Sequence, residues 1–86
     1  MGSKQTMANH KDYEVSVFRP NSMGKEAAIA LLEENVPDMN APMAAKLLSE
    51  ATLETPSPIY YGSAHEAGLV VGRLEAHGFK VLHAKF

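Results

Sequence analysis

The sequence predicts a small α+β domain: a three-stranded antiparallel sheet with three helices on one face, in the order β-α-α-β-α-β. Three observations carry this reading. Residues 13–19 alternate apolar and polar side chains, as a half-buried strand requires, and a second extended stretch closes the chain at 79–86. Apolar residues at spacings of three and four fill 25–36, 42–51 and 64–77, the periodicity of amphipathic helices. Two helices between the first two strands, and one before the last, place all helices against one face of an antiparallel sheet.

Length and composition bound what such a domain can do. The 86 residues make one domain, and a chain of this size buries roughly 60 to 65% of its unfolded surface, leaving room for one site or one docking surface. The absence of Cys excludes a disulfide framework, a thiolate nucleophile and a thiolate zinc site, and fits the cytoplasm. The net charge is -2, and residues 13–86 carry six basic against nine acidic side chains, which disfavours a surface that tracks phosphates. No apolar run approaches the roughly 20 residues that span a bilayer.

Residues 1–12 are polar and aperiodic and read as a flexible tail. They include Met1-Gly2-Ser3-Lys4-Gln5-Thr6, a short N-myristoylation pattern that also arises easily by accident. The domain follows over 13–86. In the first strand Tyr13, Val15 and Val17 share one face, while Glu14, Ser16 and Phe18 share the other. Residues 20–24 break the strand with Pro20 and Gly24. The first helix sets Ala28, Ile29, Leu31, Leu32 and Val36 against Lys25, Glu26, Glu33 and Glu34, and Pro37 stops it. Asn40 caps a second helix that tolerates Pro42 in its first turn and ends near Ala51. Residues 55–58, with two prolines, form an extended connector into a short strand at 59–61. Ser63 and Glu66 have the spacing of a capping box, and Gly78 supplies the left-handed turn that ends the third helix.

The last third of the chain resembles a known family. Ser63-x-x-Glu66-Ala67, Leu74-Glu75 and Gly78-x-x-Val81 are similar to the end of the C-terminal domain of the bacterial ribosomal stalk protein. Lys25 with Ile29, and Ala45-Lys46-Leu47, resemble its earlier helices. The adaptor that delivers N-degron substrates to the Clp protease shares that fold. The resemblance implies a non-enzymatic recognition module, with Lys25, Ile29 and Lys46 on the stalk domain's partner-binding helical surface. Ala30 and Glu33 depart from the basic pattern of that surface. No adaptor pocket residue transfers, because no acidic pair follows Asn21 and no His lies between 42 and 55.

Two surfaces are the candidate sites. On the third helix Ala64, Gly68, Gly72 and Ala76 form a small-residue stripe, widened by Leu69 and Val71. Two glycines inside a helix cost about 0.8 to 1 kcal/mol each relative to Ala. Either the helix approaches its own sheet or the first helix closely, or another chain packs across Gly68, Val71, Gly72 and Glu75, that chain being a protein partner or a second copy. The open sheet face is the other surface, with Phe18, Tyr60 and Leu82 pointing outward. Such a patch suits a protein partner or, less well given only Arg19, Lys80 and Lys85 nearby, single-stranded nucleic acid or a small ligand. The domain is not expected to be an enzyme or to hold a cofactor or metal. His65 and His77 lie about 18 Å apart along a helix, too far to share an ion. The cap role of Ser63 accounts for the hydrolase-like Gly62-Ser63-Ala64-His65.

Overall fold

The computed structural model describes residues 12–85. Its elements follow in the predicted order: β1 (Tyr13–Val17), α1 (Lys25–Asn35), α2 (Ala41–Glu50), β2 (Ser57–Gly62), α3 (Ala64–Ala76) and β3 (Val81–Lys85). The sheet order is β2-β1-β3 and both pairings are antiparallel. The tail expected at the start of the chain, with its acylation pattern, falls largely on residues 1–11 and lies outside the described residues.

The alternation of β1 explains its central place. Val15 and Val17 are fully buried, in one cluster with Leu32, Leu48, Val70 and Leu74. Burying each such side chain stabilises the fold by about 1.5 to 3 kcal/mol. Pairing persists one residue past β1, where the Phe18 N–H donates to the Lys80 carbonyl at 3.1 Å. The chain then leaves the sheet, and the Arg19 N–H donates to Thr52 at 2.9 Å.

Local chemistry sets the helix ends. Asn40 Oδ1 accepts from the Met43 N–H at 2.9 Å and starts α2, with Pro42 in its first turn. Between α1 and α2, Pro37 and Asp38 form the middle of a turn closed by the Met39 N–H donating to the Val36 carbonyl at 3.2 Å. Asp38 has φ 62°, the positive value that the third position of a type II turn demands. At the start of α3, Ser63 Oγ accepts from the Glu66 N–H at 3.2 Å. The reciprocal half of the capping box is not made; the Glu66 carboxylate accepts a long 3.5 Å bond from the Tyr60 hydroxyl instead.

The end of α3 is a full Schellman motif. The Phe79 N–H donates to Leu74 and the Gly78 N–H to Glu75, each at 3.0 Å, with Gly78 at φ 98°. Leu74 and Phe79 are both buried, so the motif carries its hydrophobic contact into the core.

β2 differs from expectation in two ways. It is longer, running through Pro58 from Ser57, which an edge strand tolerates because its outer N–H positions need no partner. It also carries a bulge: Val15 pairs with Tyr60 and Ser16 with Pro58, leaving Ile59 as the extra residue. A bulge shifts the alternation by one residue. Tyr60 therefore shares the helix-side face with Val15 and packs against the core, correcting its expected outward placement, and Tyr61 is the tyrosine that faces out.

Candidate functional site

The described residues enclose a cleft between the β1–α1 connection and the end of α2. It has a volume of about 350 Å³ and is lined by Arg19, Pro20, Met23, Lys25, Ala28, Leu48 and Ser49. Binding pockets for small groups start at about 300 Å³, so the cleft suits one residue-sized group. Each part has a local origin. Pro20 and Met23 lie in the segment that Gly24 ends, and Ala28 and Leu48 are buried faces of α1 and α2 that give it an apolar floor.

The rim is cationic. Arg19 and Lys25 make no side-chain hydrogen bond or ion pair among the described residues, and no carboxylate is among the lining side chains. Gly24, the cap residue of α1, has no side chain to occupy the N–H groups of the first turn, and Glu26 is the acidic side chain of that turn. The end of α2 is capped in part. Ser49 Oγ donates to the Lys46 carbonyl at 2.7 Å, and the Ala51 N–H is shared between Leu47 and Leu48 at 3.1 and 3.3 Å.

Of the residues assigned to the stalk-like surface, Lys25 is exposed on the cleft rim, Ile29 is half-buried against the core, and Lys46 is exposed on α2. Nothing in the sequence pattern marks Arg19, Met23 or Ser49 as cleft residues. The cleft joins two segments some 24 residues apart (Lys25 to Ser49), and no local pattern reports that.

On α3 the structure overturns one of the two readings of the small-residue stripe. A Cβ built on Gly68 or Gly72 would meet nothing within 4 Å. Neither glycine serves a close approach to the sheet or to α1; both are exposed to solvent. Glu75 is exposed as well, whereas Val71 is half-buried and packs on the core, so Leu69 is the exposed apolar side chain beside the stripe.

The outer sheet face holds Phe18 and Leu82 as expected, with Tyr61 in the place assigned to Tyr60. Lys80 Nζ sits 4.8 Å from the Phe18 ring centroid, and the Tyr61 hydroxyl donates to Glu14 at 3.0 Å. Both aromatics already carry a charged partner from the domain itself. The Glu14 bond, then burial and the Glu14 charge, raise the Tyr61 pKa above the usual tyrosine value. Tyr60 is also raised, first by burial, then by the Glu66 charge and hydrogen bond, and least by Asp38. His65 and His77 are exposed at opposite ends of α3, and His83 stacks at a tilt on Tyr13 with ring centroids 5.3 Å apart. No described helix is long and apolar enough to cross a membrane.

No protein-family model matches the chain, and no curated protein sequence matches it.

Proposed function

We propose that this chain is a non-catalytic, cytoplasmic protein-interaction module that docks a protein partner through its helical layer, centred on the cleft between α1 and α2. The observation that carries this reading is the pair of unpartnered cations, Arg19 and Lys25, above a floor of Met23, Ala28 and Leu48. A concave apolar floor with a few convergent polar groups is the usual form of a recognition site. The stalk-domain and adaptor resemblance supports the reading in kind, since both relatives are recognition modules, and Lys25, Ile29 and Lys46 belong to the surface it implies.

A second docking surface is the solvent side of α3, where Gly68 and Gly72 lack any internal contact that would offset their helix cost and Leu69 is exposed. The outer sheet face is the weaker candidate for nucleic acid or a small ligand. Glu14 holds Tyr61 there, and a carboxylate on that face repels phosphates.

The test is capture of partners from source cells by the tagged chain, beside an Arg19→Glu/Lys25→Glu double variant and Phe18→Ala. Both cations are exposed, and a Glu in the first turn of α1 interacts favourably with the helix end, so the double variant stays folded. The reading expects a partner held by the chain and by Phe18→Ala but lost from the charge-reversed variant. Retention by the charge-reversed variant with loss from Phe18→Ala moves the function to the sheet.

A further inference from the structure

We propose that the α1–α2 cleft recognises the carboxyl-terminal residue of a peptide, seating an aliphatic side chain on its floor and the terminal carboxylate on its rim; this rests on the docking reading above. The chemistry of the lining selects that group. Arg19 and Lys25 both line the cleft and lack anionic partners among the described residues, and a guanidinium and an ammonium at one cleft match a carboxylate through charge-assisted hydrogen bonds.

The floor is equally specific. Ala28 and Leu48 are buried and Met23 is half-buried, so the base of the cleft is apolar and its sulfur-bearing side chain is adaptable. A carboxyl-terminal Leu, Val or Met carries a carboxylate and an apolar side chain on the same Cα. An internal Asp or Glu carries the charge without an apolar side chain of its own, and inorganic phosphate carries only charge. At about 350 Å³ the cleft holds one such residue and no long acyl chain.

The helix ends beside the cleft are secondary to these side chains. Gly24 offers no side chain to the first-turn N–H groups of α1, but Glu26 stands in that turn, and at the end of α2 the Lys46, Leu47 and Leu48 carbonyls accept from Ser49 and Ala51. The selection of a carboxylate therefore rests on the Arg19 and Lys25 side chains and not on either helix end.

The experiment is heteronuclear NMR titration of the whole chain with N-acetyl-Gly-Gly-Leu as the free acid, with the same peptide as its carboxyl-terminal amide, and with inorganic phosphate. The free acid is expected to shift the backbone resonances of Met23, Lys25 and Ser49 with millimolar affinity. Amidation, Arg19→Ala or Lys25→Ala should each weaken binding by about tenfold, the scale of a lost charge-assisted contact. Arg73→Ala, which removes an exposed cation on α3 outside the cleft, should retain it. Equal shifts from acid and amide, no shifts at all, or phosphate binding as tightly as the peptide would each overturn the carboxylate assignment. None of these results touches the docking reading, which fails separately if the charge-reversed chain still captures its partner.

Discussion

The ring of Tyr60 lies over Gly62, two residues further along β2, so closely that a Cβ on residue 62 would stand 2.7 Å from Tyr60 Cε2. Residues two apart in a strand share a face, and the bulge at Ile59 turns that face to the helix side, where the Tyr60 hydroxyl meets Glu66 on α3. Gly62→Ala should therefore cost about 1 to 2 kcal/mol, as the ring must swing off its seat. In a Tyr60→Ala background the same change should cost nothing or stabilise, since an unhindered Gly→Ala lowers the entropy of the unfolded chain. Urea denaturation of the four proteins in this cycle measures the coupling, and equal cost in both backgrounds contradicts the contact.

Alkaline titration reports on the same ring. Burial and Glu66 raise the Tyr60 pKa above 10.0, so the folded chain holds that proton more tightly than the unfolded one. The sign follows from linkage: this stabilisation is complete below pH 10.0, the ordinary tyrosine value, and is lost as pH rises through the folded value. Glu66→Gln should lower the Tyr60 pKa only part of the way, because burial, the largest cause, remains. Ring-proton NMR across the alkaline range resolves it; an unmoved Tyr60 would show that the carboxylate is not coupled to the hydroxyl.

The α3 glycines make a separate prediction. With nothing within 4 Å of the place a methyl group would take at either position, Gly68→Ala and Gly72→Ala should each raise stability by about 0.8 to 1 kcal/mol. Gly72→Gln should stabilise too, by less. A loss of stability in thermal unfolding would mean that α3 approaches a neighbour more closely than the structure has it.

Asp38, at φ 62°, should respond to backbone chemistry more than to charge. Asp38→Gly should be neutral or mildly stabilising, and Asp38→Val should cost about 1 to 2 kcal/mol because a β-branched side chain resists the left-handed region. Chemical denaturation ranks the three, and a Val variant as stable as the parent would contradict the turn.

Much of the fold was legible in the residues because its signals are local. Asn40, Ser63 and Gly78 mark helix ends through atoms within a few positions of themselves, and the spacing of Val15 and Val17 names the buried face of β1. The face of Tyr60 was not legible. Ile59 bulges through its pairing with a strand more than forty positions earlier, and one extra residue exchanges the roles of Tyr60 and Tyr61. The stripe on α3 was visible as composition, but whether a neighbour fills it depends on tertiary distance. The cleft was half visible: Lys25 stood out through resemblance, whereas Arg19 and Ser49 meet it only once α1 and α2 are packed.

The most direct test of the docking account is photo-crosslinking in source-cell extract from a photoreactive residue placed at Ser49 in the cleft, beside the same group at Leu69 on α3 and at Leu82 on the sheet. All three positions are exposed, so the substitutions leave the core intact. The account predicts a discrete protein adduct from position 49 that is suppressed by Arg19→Glu/Lys25→Glu. Adducts from position 82 alone, or from position 49 undiminished by charge reversal, would contradict it.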